Sequence, residues 1–427
     1  MKKVIDELEW RGLIQDIIPG TKEQFEKEIT SAYVGFDPTA ESLHIGSLVP
    51  IIVLSHIQRA GHKPVALVGG ATGMVGDPTG KSEERNLLNQ QTLDKNIAGI
   101  RRQLSKFIDF DPSKPNAGEL INNYDWFKPI SFLDFIRDTG KHITVNYMMA
   151  KDSVKKRLES ENGMSFTEFC YQLLQGFDFY HLFYHKNVKV QFGGSDQWGN
   201  IVTGVELIRR KGSGEAFAFT SPLLKKADGN KFGKSEKGNI WLDAEKTSPY
   251  TFYQFWLNTA DEDAERFLKI FTFLPKEEIE ELAAAHKGNE HKRIMQNKLA
   301  EEVTTFVHSA ADLDFAKKAS EILFNNDTAE ILKSLDEKQL MQVMEGVPSF
   351  TISKDELLEK DLLTILAENK VFQSKGEGRK LILSGGVFIN KQKVTDPAMI
   401  PDESFLLNYK HILVQKGKKN YYLLTIS

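Results

Sequence analysis

Two stretches of this chain set polar or charged residues among glycines: a histidine-glycine pair at an expected strand-to-helix turn, and a loop of lysines. Residues 36–50 read FDPTAESLHIGSLVP, with His44, Gly46 and Ser47 just ahead of a long apolar run. Residues 228–241 read DGNKFGKSEKGNIW and set Lys231, Lys234 and Lys237 among glycines, where lysines can act as point charges on a polyphosphate. The plainer alternatives are a core histidine and a solvated basic loop.

A third stretch, VGGATGMVGDPTGKSEER (68–85), ends in GKS and invites comparison with a phosphate-cradling P-loop. The register refuses it, because the position five residues before Gly80 is Val75. The dinucleotide pattern GxGxxG fails as well, since Gly69 is followed two positions later by Ala71. What remains is a glycine turn exposing Asp77, then a loop with Lys81 and Arg85. Asp77 can hold a cationic group and the two cations an anion, unless the stretch is a solvated loop of ordinary charge mixture.

In FTEFCYQLLQGFDFYHLF, Tyr171, Gln175 and Asp178 are spaced by four and three and share one helix face. A plain amphipathic helix shows its wet face in the same way, although tyrosine is a poor choice for such a face. In VKVQFGGSDQWGNI, Asp196 and Gln197 follow a strand and a glycine turn, a place for ligand hydroxyls and amines. Ser195 or Asp196 can equally cap the helix expected from about Asn200.

These residues need elements to position them. Strand-like runs at Ala32–Phe36, Val65–Val68 and Val188–Phe192 alternate with helix-like stretches at Leu48–Ala60 and Phe166–His185. That alternation predicts an α/β fold with a parallel, doubly wound sheet, whose ligands bind at the carboxyl ends of the strands. The histidine turn, the glycine turn with Asp77, and Asp196 with Gln197 follow such strands. From Ser248 to about Leu335 the pattern is helical, and after Asp361 it becomes helix, glycine turn, strand and hairpin.

Composition narrows the class. At 427 residues, 41% hydrophobic and 27% charged, the chain is too long for one core and too apolar for disorder. A net charge of -4 leaves nucleic-acid contact to local patches. The lone Cys170 allows neither an intramolecular disulfide nor a thiolate metal cluster, so a reducing, cytoplasmic location is expected. The opening MKKVIDELEWRG has acids where a secretion signal needs an apolar core, and no apolar run approaches the roughly 18 residues of a membrane span.

Taken together, order and spacing carry a resemblance that no single stretch does. GFDPTAESLHIGS followed by KFGKS resembles the paired signatures of class I aminoacyl-tRNA synthetases. With YVGFDPTA, GGATGMVGDPTGK, NYMMAK, GGSDQWGNI and KADGNKFGKS, the chain is similar to the bacterial tyrosyl-tRNA synthetases over essentially its whole length. The resemblance implies tyrosine activation with ATP, then transfer to tRNA(Tyr). It further implies a homodimer, with the apolar region around Phe166 near its interface, and Mg²⁺ arriving with ATP rather than on a dedicated protein metal site.

Carried over by position, the resemblance implies that Tyr33 and Asp178 bind the phenolic hydroxyl of the substrate. Asp77, Tyr171 and Gln175 would hold its ammonium group, and Gln197 would lie near the reacting carboxylate. Gly35, Asp37, Thr39, Gly46, Gly194 and Asp196 would line the ATP side, and His44 would meet the phosphates at a helix start. Lys81, Arg85 and the KFGKS residues Lys231, Phe232, Gly233, Lys234 and Ser235 would face the nucleotide and departing pyrophosphate.

One position departs from the family pattern: Ser47 stands where the first signature usually has a second histidine, and a reduced role in activation is expected for it. The implied organisation is a Rossmann-like catalytic domain over 1–240, a helical anticodon-side domain over 241–335, a connector over 336–360 and a small α+β S4-like RNA-binding domain over 361–427. The last segment holds ten lysines and arginines against six acids, which suits phosphate contact. Its QSKGEGRK stretch sets Gly376 and Gly378 in an expected helix, at a cost of about 1 kcal/mol each relative to alanine. A tryptophan-specific relative and an RNA-binding protein without catalysis are the competing readings; Tyr33 with Asp178 counts against the first, and His44, Lys231 and Lys234 against the second.

Overall fold

The computed structural model describes the chain apart from residues 1–2, 78–88, 160–162, 230–231, 236–237, 325–328, 346 and 418–419. The described chain divides into two compact units, Met1–Thr247 with Phe255–Val307, and Ser248–Gln254 with His308–Ser427. Helices expected as one domain over 241–335 are thus shared between them.

The first unit is built on five parallel strands: β1 (Ser31–Phe36), β2 (Lys63–Val68), β3 (Glu119–Asn122), β4 (Val188–Gly194) and β5 (Phe217–Ser221). Their order is β3-β2-β1-β4-β5. The chain therefore winds one way from β1 through β2 to β3 and the other way through β4 to β5. The switch point between β1 and β4 is where such sheets bind ligands. Strands β3 and β5 are not among those expected from the sequence; they are the two edge strands, ELIN partly buried and FAFTS fully buried.

Helix Leu48–Arg59 follows β1 after a 3-10 turn, Ile45–Ser47. It is buried from Leu48 to Ile57 except at Pro50, because it packs against β2 and helix Asp261–Phe271. Helix Phe166–Lys186 starts with a reciprocal capping box between Ser165 and Glu168 and stops at Asn187, which is left-handed. A short antiparallel ribbon, β6 (Lys234–Ser235) with β7 (Gly238–Asn239), lies in the lysine loop.

Arg11 joins the N-terminal segment to the helices of this unit. The side chain is 2% exposed, and its guanidinium donates to the carbonyls of Lys269 (2.7 Å), Thr272 (2.8 Å) and Leu274 (2.7 Å). These lie at the end of helix Asp261–Phe271, where carbonyls lack partners within the helix and the dipole favours a cation.

The second unit carries a sheet of β8 (Ser349–Ile352), β9 (Val387–Ile389), β10 (Gln392–Lys393), β11 (His411–Lys416) and β12 (Asn420–Ile426), in the order β10-β9-β11-β12-β8. Strand β8 comes from the stretch expected as a connector and pairs in parallel with β12. The glycine-containing helix runs Lys375–Leu383 with Ser374 as its N-cap. Gly378 has a packing reason: a Cβ there would sit 2.5 Å from Phe372 Cδ2 and closer still to Leu363.

Replacing Arg11 with methionine keeps most of the apolar stem but leaves buried carbonyls unmet. Urea denaturation is expected to show a loss of about 2–4 kcal/mol. Lysine, which lacks the planar fork, should recover only part of it.

Candidate active site

The carboxyl ends of β1, β2 and β4 converge with helix Phe166–Lys186 on one polar cluster. Asp37, just past β1, accepts hydrogen bonds from the Tyr171 hydroxyl (3.1 Å) and the Thr72 hydroxyl (3.3 Å). Gly69 makes this approach possible, since a Cβ at that position would lie 2.6 Å from Asp37 Oδ1. The glycine turn after β2 is held from β3: Asn122 Oδ1 accepts the Gly70 N–H (3.2 Å) and Asn123 Oδ1 the Ala71 N–H (2.7 Å).

Tyr171 and Asp178 are 5% and 2% exposed, so the helix face they share is an interior one and the plain amphipathic alternative does not apply. Gln175, on the same face, is half-buried and accepts from Asn200 Nδ2 (3.0 Å). Asp178 accepts from Trp126 Nε1 (2.9 Å) and Asn123 Nδ2 (3.1 Å). Burial pushes its carboxyl up to about 8, against the opposing pull of those two donors and with the nearby Asp37 carboxylate adding to the rise.

Tyr33 lies on the sheet beneath this carboxylate. It is 1% exposed and its hydroxyl has no partner. Burial, and then the Asp178 charge, holds that hydroxyl protonated well above the usual phenol range. Gln191 is its register partner on β4, and the Gln191 Oε1 is likewise buried and unpartnered. A buried hydroxyl and a buried amide oxygen without partners beside a desolvated carboxylate define a position for a polar group that the protein itself does not supply.

Toward the rim, buried Asp77 accepts from Gln197 Nε2 (2.7 Å), and Asn200 Nδ2 also reaches Gln197 Oε1 (3.3 Å). Helix Trp198–Gly212 has Gln197 as N-cap with no side-chain capping bond, so neither Ser195 nor Asp196 serves as its cap. Gly194 ends β4, and Asp196 is exposed on the 3-10 turn after it; Gly35 and Thr39 are exposed at the end of β1.

His44 is exposed, and its Nδ1 accepts the Gly46 N–H (3.0 Å), which puts the proton of the neutral ring on Nε2. Gly46 is exposed too, and Ser47 is half-buried with its N–H on the His44 carbonyl (2.8 Å). Phe232 departs from its expected place along the nucleotide, because its ring packs among Phe255, Trp256, Phe267 and Phe271. Gly233 is left-handed, and Lys234 and Ser235 are placed by their backbone on β6. Lys81, Arg85 and Lys231 lie outside the described residues.

Sequence reasoning missed Thr72, Asn122, Asn123, Trp126, Gln191 and Asn200. The available signal was the run INNYDW, legible as a strand end with two amides only once residues 119–122 are taken as a strand.

A comparison with known families agrees with this geometry. Residues 26–325 match the model described as "tRNA synthetases class I (W and Y)", and residues 339–424 that of the "Tyrosine--tRNA ligase SYY-like C-terminal domain". The chain belongs to the class I tRNA synthetases. It is 59% identical over 424 residues to the tyrosine--tRNA ligase of Bacteroides thetaiotaomicron, covering 98% of this chain and 99% of that one. The enzyme of the same name from Cytophaga hutchinsonii is 60% identical over 428 residues, with 99% of both chains covered. Among solved structures, a C-terminally truncated mitochondrial tyrosyl-tRNA synthetase from Aspergillus nidulans superposes with a TM-score of 0.67 at 32% identity, over 76% of this chain and 95% of that one. Within its class the chain belongs to the tyrosine--tRNA ligases.

The raised carboxyl of Asp178 gives stability a sign. Between the unfolded value of 3.8 and about 8 the folded chain binds more protons than the unfolded one, so stability should fall as pH rises through that window. Asp178→Asn should flatten the slope by several kcal/mol across the window, read by denaturant unfolding at several pH values without ligand.

Proposed function

We propose that the chain activates L-tyrosine with MgATP and then charges tRNA(Tyr), with Tyr33 and Asp178 reading the phenolic hydroxyl. The observation that carries this assignment is the unpartnered Tyr33 hydroxyl beside the desolvated Asp178 carboxylate. A phenol entering there gives and receives a hydrogen bond. Phenylalanine would leave buried polar groups unpaired, the kind of mismatch that yields strong discrimination. An indole, as in tryptophan, brings a donor but no acceptor for Tyr33.

The substrate ammonium group falls to Asp77, Tyr171 and Gln175, with Gln197 near the carboxylate. That carboxylate is already ionised, so the first step needs no strong general base. One of its oxygens attacks the α-phosphorus of ATP as the bond to pyrophosphate breaks, giving tyrosyl-adenylate. A terminal ribose hydroxyl of the tRNA then attacks the tyrosyl carbonyl, and AMP leaves. The protein's task is positioning and charge stabilisation. His44 donates from Nε2 to phosphate at the turn before helix Leu48–Arg59, with Gly35, Asp37, Thr39, Gly46, Gly194 and Asp196 around the nucleotide. Lys81, Arg85, Lys231 and Lys234 take the departing pyrophosphate.

The proposed division of labour gives catalysis to residues 1–240, the anticodon side to the helices of 241–335, a connecting role to 336–360 and RNA contact to 361–427. A homodimer is proposed as well. Exposed Phe132, Leu133, Val145 and Phe166 support it, at 65%, 76%, 58% and 66% exposure. A cytoplasmic location is supported by the single cysteine.

Exchange between ATP and pyrophosphate, run with tyrosine, phenylalanine and tryptophan and no tRNA, tests the reading. Exchange with tyrosine alone is expected; none with any of the three, from folded protein, would favour an RNA-binding protein without catalysis. Tyr33→Phe should reduce the preference for tyrosine over phenylalanine by about tenfold.

His44→Ala should lower the activation rate by about 10²-fold. Ser47→Ala should cost clearly less, and an equal loss would assign Ser47 a full part in charge stabilisation.

A further inference from the structure

Two fastenings flank the stretch from Gly233 to Ser235. On one side the ring of Phe232 is stacked on Phe271 (5.1 Å between centroids, 21° between planes) and edge-on to Phe267 (5.1 Å, 68°) and Phe255 (6.0 Å, 72°), with Trp256 tilted against it at 5.8 Å. Three walls of this socket are themselves buried: Trp256 is 0%, Phe271 1% and Phe267 3% exposed. On the other side the chain leaving the loop is stitched to the histidine turn, since Ile45 N–H donates to the Ile240 carbonyl (2.8 Å) and Leu242 N–H to the Leu43 carbonyl (2.9 Å).

Between the fastenings the two signatures meet directly. Gly233 has φ +92°, and a Cβ on it would lie 2.9 Å from Ile45 Cγ2 and 3.6 Å from the Gly46 nitrogen. The backbone one residue beyond Phe232 therefore lies against the turn that carries His44 and Gly46. A rigid aromatic ring has two side-chain torsions and loses little freedom in such a socket, so it suits an anchor better than a flexible side chain would.

We propose that Phe232 is a positioning residue for adenylate formation: the ring, locked among Phe255, Trp256, Phe267 and Phe271, sets where the Gly233–Lys234 backbone lies against the His44–Ser47 turn. Its ring packs on four aromatic neighbours, and it acts through the backbone that follows it. The proposal rests on the assignment of the loop lysines to the departing pyrophosphate. Because those charges act in the transition state, displacement of the segment should appear mainly in kcat, and a shift of about 1 Å can cost about 10²-fold.

The test compares Phe232→Ala, Phe232→Leu and Gly233→Ala in the full-length protein. Tyrosine-dependent ATP–pyrophosphate exchange is measured beside tyrosine binding by equilibrium dialysis without ATP. Phe232→Ala is expected to lower the kcat of exchange by about 10–100-fold with tyrosine affinity unchanged, and Phe232→Leu to restore much of the rate. Exchange by Phe232→Ala within twofold of the unaltered protein overturns the proposal, as does an equal loss of tyrosine binding, which marks a general packing role. Should Phe232→Ala fail to fold, Gly233→Ala decides, because it keeps the ring but forces the backbone off Ile45: a kcat loss in folded protein supports the proposal, and an unchanged rate overturns it. Absence of exchange in the unaltered protein would instead strike the functional reading itself.

Discussion

A carboxylate taken out of water must find donors or give up its charge, and the polar interior of the first unit is arranged around that requirement at Asp178. Two donors reach it, from Asn123 and Trp126, and burial still wins, because the carboxyl stays near 8. Asn123 spans two needs, with its amide nitrogen on Asp178 and its oxygen on the Ala71 N–H of the glycine turn. The edge strand β3 therefore reaches the site through its end, although it contributes little to the core.

The residual cost at Asp178 makes sense as preorganisation. On the proposed assignment, a pocket that leaves the buried Tyr33 hydroxyl without a protein partner rewards the phenol that completes it. The rim follows another logic. Around Asp37 and Asp77 each carboxylate already has protein donors, from Tyr171, Thr72 and Gln197, so the ammonium group proposed to bind there would join a network whose geometry exists beforehand. On that proposal the deep end would select by an unmet need and the rim by a prepared negative field.

The histidine turn and the segment after the lysine loop meet through backbone. Residues 43–45 and 240–242 pair across a gap of nearly two hundred positions, which brings the histidine turn and the chain leaving the lysine loop together. This closeness explains why a glycine, rather than any larger residue, follows Phe232.

Much of this was legible in the chain itself. Strand-like runs at 32–36, 65–68 and 188–192, alternating with helical stretches, point to a parallel α/β sheet, because parallel neighbours need a crossover connection between them. The spacing of Tyr171, Gln175 and Asp178 determines that they share a helix face, and the motif order carries the family. Tertiary structure alone decided that this face points inward, that β3 and β5 complete the sheet, and that Asn123 and Trp126 hold the buried carboxylate from more than fifty residues away. Local sequence records periodicity and turn chemistry, which act over a few residues. Burial and hydrogen-bond partnership depend on which distant segments the fold brings together, and no spacing along one segment encodes its neighbours.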